Sequence, residues 1–244
     1  MTILEDFYTL MDRLDCGLQG GRILSEAHGR QQWPDKGVYF IFDPHEPRGD
    51  GSGRPRCVRI GTHAVSRESS TSLWDRLRQH RGNMDGSGGN HRGSIFRLHT
   101  GMALISRNPD QWQMPAWGRG NNAPTDIRQA ERPLEQEVSR YIGRLKVLWL
   151  NVPDRAGKES MRAYFERNSI GLLATQGTVR DTPSSDWLGL QSPRKEIRES
   201  GVWNLGFLTW PVDKDLVKMF DTQIDLTIET LKAQSSWSLA WPMR

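Results

Sequence analysis

The chain has 244 residues, of which 36% are hydrophobic, and a formal net charge of +4. This length predicts one large domain or one domain with additions, and the ten Trp and seven Phe argue against a disordered chain. No stretch approaches the roughly 20 consecutive apolar residues that a membrane-spanning helix needs. The two cysteines, Cys16 and Cys57, are too few for a disulfide framework or a zinc site. Because the acidic N-terminus does not resemble a secretory signal, we expect a cytoplasmic protein.

The positive charge is concentrated in one part of the sequence. Residues 48–107 contain eleven Arg against four acidic residues, whereas residues 1–47 contain eight acidic and four basic residues. The planar guanidinium of Arg binds two phosphate oxygens at once, so this zone favours a polyanion such as nucleic acid. The excess of Arg over Lys, 26 to 7, leaves the base composition of the gene as an alternative explanation.

The first part of the chain predicts a helix followed by a β-hairpin. Residues 2–15 place apolar side chains at three- and four-residue spacing, which is typical of an amphipathic helix. The β-branched and aromatic run 37–42 predicts a strand that ends at Asp43-Pro44, and residues 57–61 predict a second strand. We expect these strands to pair across a turn-rich connection at 43–56.

The rest of the chain predicts several helices and one further strand. Ser72 and Asp75 have the spacing of a capping box, which predicts a helix from Leu73 to about Arg81. Few strands among more helices indicate a mixed α/β domain with a small sheet. The other expected elements are a glycine-rich loop at 84–93, a helix at 94–105, a long loop at 108–127, a helix at 133–144, a strand at 147–152, a helix at 158–173, an irregular stretch at 175–202 and a helix at 211–232.

Five short segments occur in a fixed order along the chain: GVY at 37–39, RIG at 59–61, LWDRLRQH at 73–80, AYFERNSIGLL at 163–173 and GVWN at 201–204. Their order is that of the signature segments of GIY-YIG nucleases, and over roughly residues 36–205 the chain resembles that family. One position departs from the family pattern, because Arg59 stands where the second triplet usually has Tyr.

The resemblance implies an α+β fold with a small three-stranded antiparallel sheet flanked by helices. The catalytic domain would span residues 36–210, with an insertion around 106–130. Residues 1–35 would form an N-terminal helical extension, and residues 211–244 a C-terminal helix and tail.

The resemblance also implies a catalytic site for phosphodiester hydrolysis, a reaction in which electrostatic stabilisation of the transition state is usually the largest contribution. Arg76 would hold the scissile phosphate through two hydrogen bonds. Glu166 would bind one divalent cation, Mg²⁺ or Mn²⁺. Tyr39 would deprotonate or orient the attacking water, with help from His80. The full catalytic set is Tyr39, Arg59, Arg76, His80, Glu166 and Asn204.

Each of these residues also has a purely structural interpretation. Tyr39 lies in an apolar strand and could belong to the core, and His80 could be a cation at a helix C-terminus. Glu166 could pair with Arg162 one turn away. Glu135 and Glu137 compete with Glu166 for the metal, but they precede the third strand, whereas the family places its Glu after it.

Several cationic residues near the predicted site are candidates for DNA binding. His91 and Arg92 lie in a glycine-rich loop whose backbone amides can surround a phosphate. Trp112 and Trp117, in the following loop, are candidates for stacking on bases. The predicted DNA-binding residues are Arg78, Arg81, His91, Arg92 and Arg97.

The first functional hypothesis is therefore a metal-dependent DNA endonuclease, of restriction type on double-stranded DNA, with repair and mobile-element roles left open. Cutting both strands requires a homodimer or sequential nicking. The missing second Tyr motivates an alternative, a nucleic-acid-binding protein without catalysis. A third hypothesis is an Arg-rich scaffold for an acidic protein partner. No membrane association is expected.

Overall fold

The computed structural model describes residues 2–63, 71–174 and 181–240, with side chains through residue 234. Within this part of the chain, no helix is both long and apolar enough to span a membrane. The helices are α1 (Ile3–Gly17), α2 (Leu73–Arg81), α3 (Ile95–Arg107), α4 (Thr125–Gly143), α5 (Met161–Leu173), α6 (Lys195–Ser200) and α7 (Leu216–Ala240), and the strands are β1 (Arg22–Ile23), β2 (Gly37–Pro47), β3 (Pro55–Thr62) and β4 (Lys146–Asn151).

The sheet has the strand order β1-β4-β2-β3, and all neighbouring strands are antiparallel. The α+β class is confirmed, but the predicted count of three strands is wrong. The missed strand, β1, is two residues long and pairs Arg22 with Val147 on β4. Two residues are too few to produce an alternating pattern that the sequence could reveal.

The predicted hairpin of β2 and β3 is confirmed, but β2 continues through the segment that was expected to be a loop. Its pairing with β3 shifts register after Ile41 and again after Asp43, as at a β-bulge. Asp43 is buried, and its carboxylate accepts a hydrogen bond of 3.0 Å from the Tyr141 hydroxyl. The Asp-Pro pair, a turn signal in the sequence, therefore lies in an irregular strand.

The helix ends depend on local chemistry that the sequence shows only in part. The capping box of Ser72 and Asp75 is present, and Gly82 ends α2 with a φ of +76°. By contrast, α4 begins eight residues before its predicted start and contains Pro133. Pro133 is exposed, so water can reach the carbonyl group that loses its partner N–H. The helix predicted from residue 211 begins at Leu216, and the irregular stretch 175–202 contains α6.

The N- and C-terminal helices pack on the same core as the sheet. The Phe7 ring of α1 lies 5.6 Å from the Phe220 ring of α7, and Phe220 lies 5.8 Å from Phe40 of β2. The core is one continuous cluster of buried apolar residues that includes all three.

A buried ionic network joins α3 and α4. Arg97 is completely buried, and its Nε–H donates to the Glu135 carboxylate at 3.0 Å. The same carboxylate accepts from the backbone N–H of His91 at 2.6 Å. Because Glu135 is enclosed by these donors, it forms part of the interior and is not available to a metal ion.

Glu135 and Glu137 of α4 compete with Glu166 for the metal role in the sequence. Replacement of each by Ala is expected to change the stability of the protein by very different amounts. Glu135→Ala would leave Arg97 as a buried unpaired charge and lower the free energy of unfolding by about 3–5 kcal/mol. Glu137→Ala removes an exposed pair with Arg140 and would change the free energy of unfolding by less than about 0.5 kcal/mol. Urea denaturation of both variants measures the difference. Equal effects would contradict the structural role of Glu135.

Candidate active site

Four consecutive residues of β3, Arg59 to Thr62, contact most of the predicted catalytic residues. β3 is the edge strand of the sheet, so its outer side is open to other segments. The Thr62 N–H donates to Glu166 Oε1 at 3.2 Å, and both backbone groups of Ile60 bond to the Asn204 amide. Gly61 pairs with Tyr39 across the hairpin. Residues far apart in sequence thus meet along one short piece of strand.

The Tyr39 side chain lies over Gly61. Residues directly opposite each other in an antiparallel pair project to the same face of the sheet, so Tyr39 and Gly61 share a face. A Cβ at position 61 would overlap the Tyr39 hydroxyl and its ring. The glycine of the second triplet therefore makes room for the tyrosine of the first.

The Tyr39 hydroxyl is hydrogen-bonded to His80. The distance from Tyr39 Oη to His80 Nε2 is 2.7 Å, and His80 is fully buried on α2. Burial, together with the positive charges of Arg59, Arg76 and Arg97, holds the pKa of His80 well below its usual value. The His80 ring is thus enclosed in the protein with Nε2 hydrogen-bonded to Tyr39, an environment that disfavours the charged form and differs from that of a solvated cation at a helix end.

Ser94 is a member of this site that the sequence interpretation missed. Its Oγ lies 2.7 Å from His80 Nδ1 and also accepts from the Arg97 N–H at 3.3 Å as the N-cap of α3. Ser94 therefore binds the side of the imidazole opposite Tyr39. The sequence signal is a Ser at a helix start, which predicts a cap but does not predict its contact with a histidine on another helix.

Glu166 projects from α5 toward β3. The residues on its stripe of the helix, Ile170 and Leu173, are buried, as the sequence predicted. Arg162 does not pair with it, because the Arg162 Nε–H donates to Asp154 at 2.5 Å. Burial raises the pKa of Glu166, and the charges of Arg59 and Arg76 oppose that rise. The carboxylate thus lies near two guanidinium groups.

Arg59 and Asn204 line a pocket of about 220 Å³ together with Glu166. Arg59 is 6% exposed, and it donates to the Trp203 carbonyl at 2.9 Å. Within the described residues, its Nε–H has no hydrogen-bond partner. Asn204 accepts from the Ile60 N–H at 3.1 Å and donates to the Ile60 carbonyl at 2.8 Å, so it continues the hydrogen bonding at the outer edge of the sheet.

Arg76 is partly buried on α2, one turn before His80. Its guanidinium donates to the Gln79 side chain at 3.2 Å, whereas Asp75 is occupied by the helix cap. Its positive charge also lowers the pKa of His63, although burial is the main cause of that shift. The charge of Arg76 thus acts on the pKa values of His63, His80 and Glu166, and Gln79 is the hydrogen-bond partner of its guanidinium among the described residues.

The predicted DNA-binding residues are placed very differently from one another. Arg78 is exposed, with 61% of its side chain accessible. Arg81 is half-buried; it donates to the Ala27 carbonyl and lies over the Trp74 ring. Arg92 makes two hydrogen bonds, of 2.6 and 2.8 Å, to Glu131.

Two of these residues are enclosed by the fold and are unsuited to DNA contact. Arg97 is completely buried, and its guanidinium is bound to Glu135 and to backbone carbonyl groups. His91 is buried and stacks on Trp117 at 3.8 Å between ring centroids. The prediction that Trp117 stacks on bases is wrong for the same reason, since its ring is already packed.

The described part of the chain contains no group of three or more His, Cys, Asp or Glu residues arranged to hold a metal ion. Glu166 is one carboxylate on the pocket wall, and among the described residues it forms no ion pair within 4.0 Å. A larger pocket of about 400 Å³ lies beside α1, and none of the six predicted catalytic residues lines it.

Comparison with known proteins supports the resemblance seen in the sequence. A family model described as "GIY-YIG domain" matches residues 1–230. No curated protein and no solved structure matches the chain.

Gly61→Ala tests the contact between the two signature triplets. The added methyl group would displace the Tyr39 ring, break its hydrogen bond to His80 and lower the free energy of unfolding by about 1–3 kcal/mol. Urea denaturation measures the stability, and the imidazole ¹⁵N shifts of His80 report the bond. Gly157→Ala is the control, because an added Cβ there meets no atom within 4 Å. Unchanged His80 shifts in Gly61→Ala would contradict the proposed contact.

Proposed function

We propose that this chain, which belongs to the GIY-YIG domain family, is a divalent-metal-dependent endonuclease that hydrolyses phosphodiester bonds in double-stranded DNA. The family consists of endonucleases, which supports a hydrolytic enzyme. The observation that carries the proposal is the set of contacts made by Arg59 to Thr62 of β3 with Tyr39, Glu166 and Asn204.

Two arginines would bind and neutralise the scissile phosphate. Among the described residues, the Arg76 guanidinium bonds to Gln79 alone, and its charge lowers the pKa of Glu166 against the effect of burial. Arg59 lines the pocket, and its buried Nε–H has no hydrogen-bond partner among the described residues. Buried, positioned donors of this kind stabilise the charge that develops on the phosphate oxygens more strongly than donors in water do. In this proposal Arg59 takes part in phosphate binding at the position where the family usually has Tyr.

Glu166 would hold one divalent cation, Mg²⁺ or Mn²⁺. A single carboxylate that faces a pocket and has no ion-pair partner in the described structure fits a cation whose remaining ligands are water and phosphate oxygens. When bound, such a cation acts as a Lewis acid that stabilises the leaving oxygen. The Thr62 N–H donates to one oxygen of the Glu166 carboxylate and so fixes the orientation of the second oxygen.

Tyr39 is 1% exposed and does not line the pocket of Arg59 and Glu166; in this proposal it orients or deprotonates the attacking water once substrate binding admits water to its hydroxyl. Its hydroxyl is held by His80 at 2.7 Å, and Ser94 holds the opposite nitrogen of that imidazole at the same distance. If Ser94 donates to Nδ1, Nε2 carries the proton and donates to the phenol oxygen, which leaves the Tyr39 O–H to bond the attacking water. His80 would act in this way as a neutral hydrogen-bond donor, consistent with its lowered pKa.

Asn204 would act as a positioning residue, because its amide fixes Ile60 between Arg59 and Gly61. Among the predicted DNA-contacting residues, Arg78 has the exposure that phosphate contact requires and Arg81 is half-buried, whereas the Arg92 side chain is 5% accessible and is bound to Glu131. We propose restriction-type cleavage, by a homodimer or by sequential nicking. The alternative, a DNA-binding protein without catalysis, rests on the replacement of the second Tyr by Arg59.

Arg76→Ala and Glu166→Gln are expected to lower the rate of plasmid nicking in Mg²⁺ by at least about 100-fold, because each removes charge stabilisation of the transition state. Arg140→Ala is the control, since Arg140 is an exposed arginine of α4 whose side chain is 72% accessible. Conversion of supercoiled plasmid is measured by gel electrophoresis. Wild-type rates in either site variant would refute the assignment. Salt-sensitive DNA binding by a wild-type protein that does not nick would favour the non-catalytic alternative.

Glu166→Gln also gives a test that does not depend on activity. Burial raises the pKa of Glu166, so the cost of its buried charge is absent below the ordinary carboxyl pKa of about 4 and develops as the pH rises through the raised value. Without metal at neutral pH, Glu166→Gln should therefore unfold at a higher temperature than the wild type. Addition of Mn²⁺ should raise the melting temperature of the wild type and leave that of the variant unchanged. Equal responses of the two proteins to Mn²⁺ would exclude Glu166 as the ligand.

A further inference from the structure

Two exposed apolar side chains line the pocket that contains Arg59 and Glu166, and a third packs beside one of them. Ile95 and Phe207 line it, each 46% exposed. Trp210 is 39% exposed, and its ring lies 5.7 Å from that of Phe207 in an edge-to-face arrangement. The described part of the chain has five exposed large apolar side chains. The other two are Met84 and Leu226, so three of the five lie at or beside this pocket.

The loop that carries the two aromatic rings is fixed at both ends. Asn204 bonds to the backbone of Ile60 before the loop begins. At the other end, the Trp210 backbone packs against Gly171 of α5, where an added Cβ would overlap the Trp210 carbonyl. Between these points Phe207 has a φ of +63°, which is strained for a residue with a side chain. Such conformations persist only where the surroundings enforce them, and they are enriched at functional sites.

The charges around the aromatic pair suit an anionic partner with planar apolar groups. The Arg167 guanidinium lies over the Trp210 ring, 5.1 Å from its centroid. Arg59, in the pocket below, has a donor without a partner in the described structure. Cations beside exposed aromatic rings form the usual combination for binding a nucleic-acid strand, because bases stack on the rings while phosphates meet the cations.

We propose that Phe207 and Trp210, here named the aromatic platform, bind one nucleobase next to the phosphate that enters the pocket, with the base stacked on the Phe207 ring and Trp210 supporting that ring edge-to-face. This inference rests on the proposed nuclease function and adds to it that the substrate strand is held with that base out of its normal stack. A duplex would have to be locally unstacked to bind, as at a wedge or a flipped base. A strand whose base at this position is already unstacked would bind the aromatic platform without the cost of unstacking.

Binding to short single strands with and without bases tests the proposal. The full-length protein is titrated in EDTA and low salt with a fluorescent oligodeoxynucleotide and with an abasic strand that has the same number of phosphates. The wild type is expected to bind the base-bearing strand about tenfold more tightly. The double variant F207A/W210A is expected to lose this preference while its affinity for the abasic strand is unchanged. The matched control Leu226→Ala, an exposed apolar residue on α7, should behave as the wild type does.

Conservative variants separate stacking from simple hydrophobic contact. Phe207→Tyr keeps a ring and should keep the preference, whereas Phe207→Leu keeps an apolar group and should weaken it. Circular dichroism melting checks that each variant is folded. A full preference in Phe207→Leu, or in the folded double variant, would overturn the stacking proposal. A wild-type dimer that F207A/W210A converts to a monomer would identify the platform as a contact between two copies instead, and would also overturn it.

The failure of this inference is distinguishable from failure of the proposed function. If nicking depends on Glu166 but the wild type binds both strands equally, the platform proposal is wrong and the nuclease proposal stands. If the wild type binds neither strand at low salt and does not nick plasmid in Mg²⁺, the nuclease proposal is wrong as well.

Discussion

The structure depends on the register of β2 against β3, because that register places the Tyr39 ring over Gly61. A shift by one residue would turn Tyr39 to the other face of the sheet and separate it from His80. The Tyr39 hydroxyl begins a chain of hydrogen bonds that leads away from this contact. His80 links Tyr39 to Ser94, and Ser94 caps the helix that carries Arg97. The candidate active site is therefore continuous with the buried ionic network between α3 and α4, and the same hydrogen bonds stabilise the fold and orient the site.

Arg59 changes the electrostatics of this site relative to the family pattern. A Tyr at this position would be neutral, whereas Arg59 adds a buried positive charge that helps to keep His80 uncharged and partly offsets the desolvation of Glu166. Its own burial is made tolerable by the Trp203 carbonyl and by the Phe96 ring, whose centroid lies 4.9 Å from the guanidinium carbon. Arg59 is thus held in place by local contacts with the protein.

Ion pairs within the protein account for part of the uneven charge distribution along the sequence. Part of the basic excess in residues 48–107 pairs with acidic residues from the first 47. Arg48 donates to Asp12 at 2.7 Å, and the buried Arg56 lies 3.5 Å from Glu46. Arg92 and Arg97 pair with acids of α4 in the same manner. The number of arginines that face solvent is therefore smaller than the count in the sequence suggests, and binding to DNA would rely on a few positioned groups.

The sequence by itself determined the features that short-range patterns control. These are the two strands of the hairpin, the capping box before Leu73, the inward stripe that contains Glu166, and the order of the signature segments. The tertiary structure decided which charged groups find partners, because partners such as Glu135 for Arg97 come from segments distant in sequence. It also buried His91 and Trp117, and it left Phe207 and Trp210 exposed. Periodicity and capping reflect the geometry of neighbouring residues, whereas burial and pairing depend on how whole elements pack, which no local pattern records.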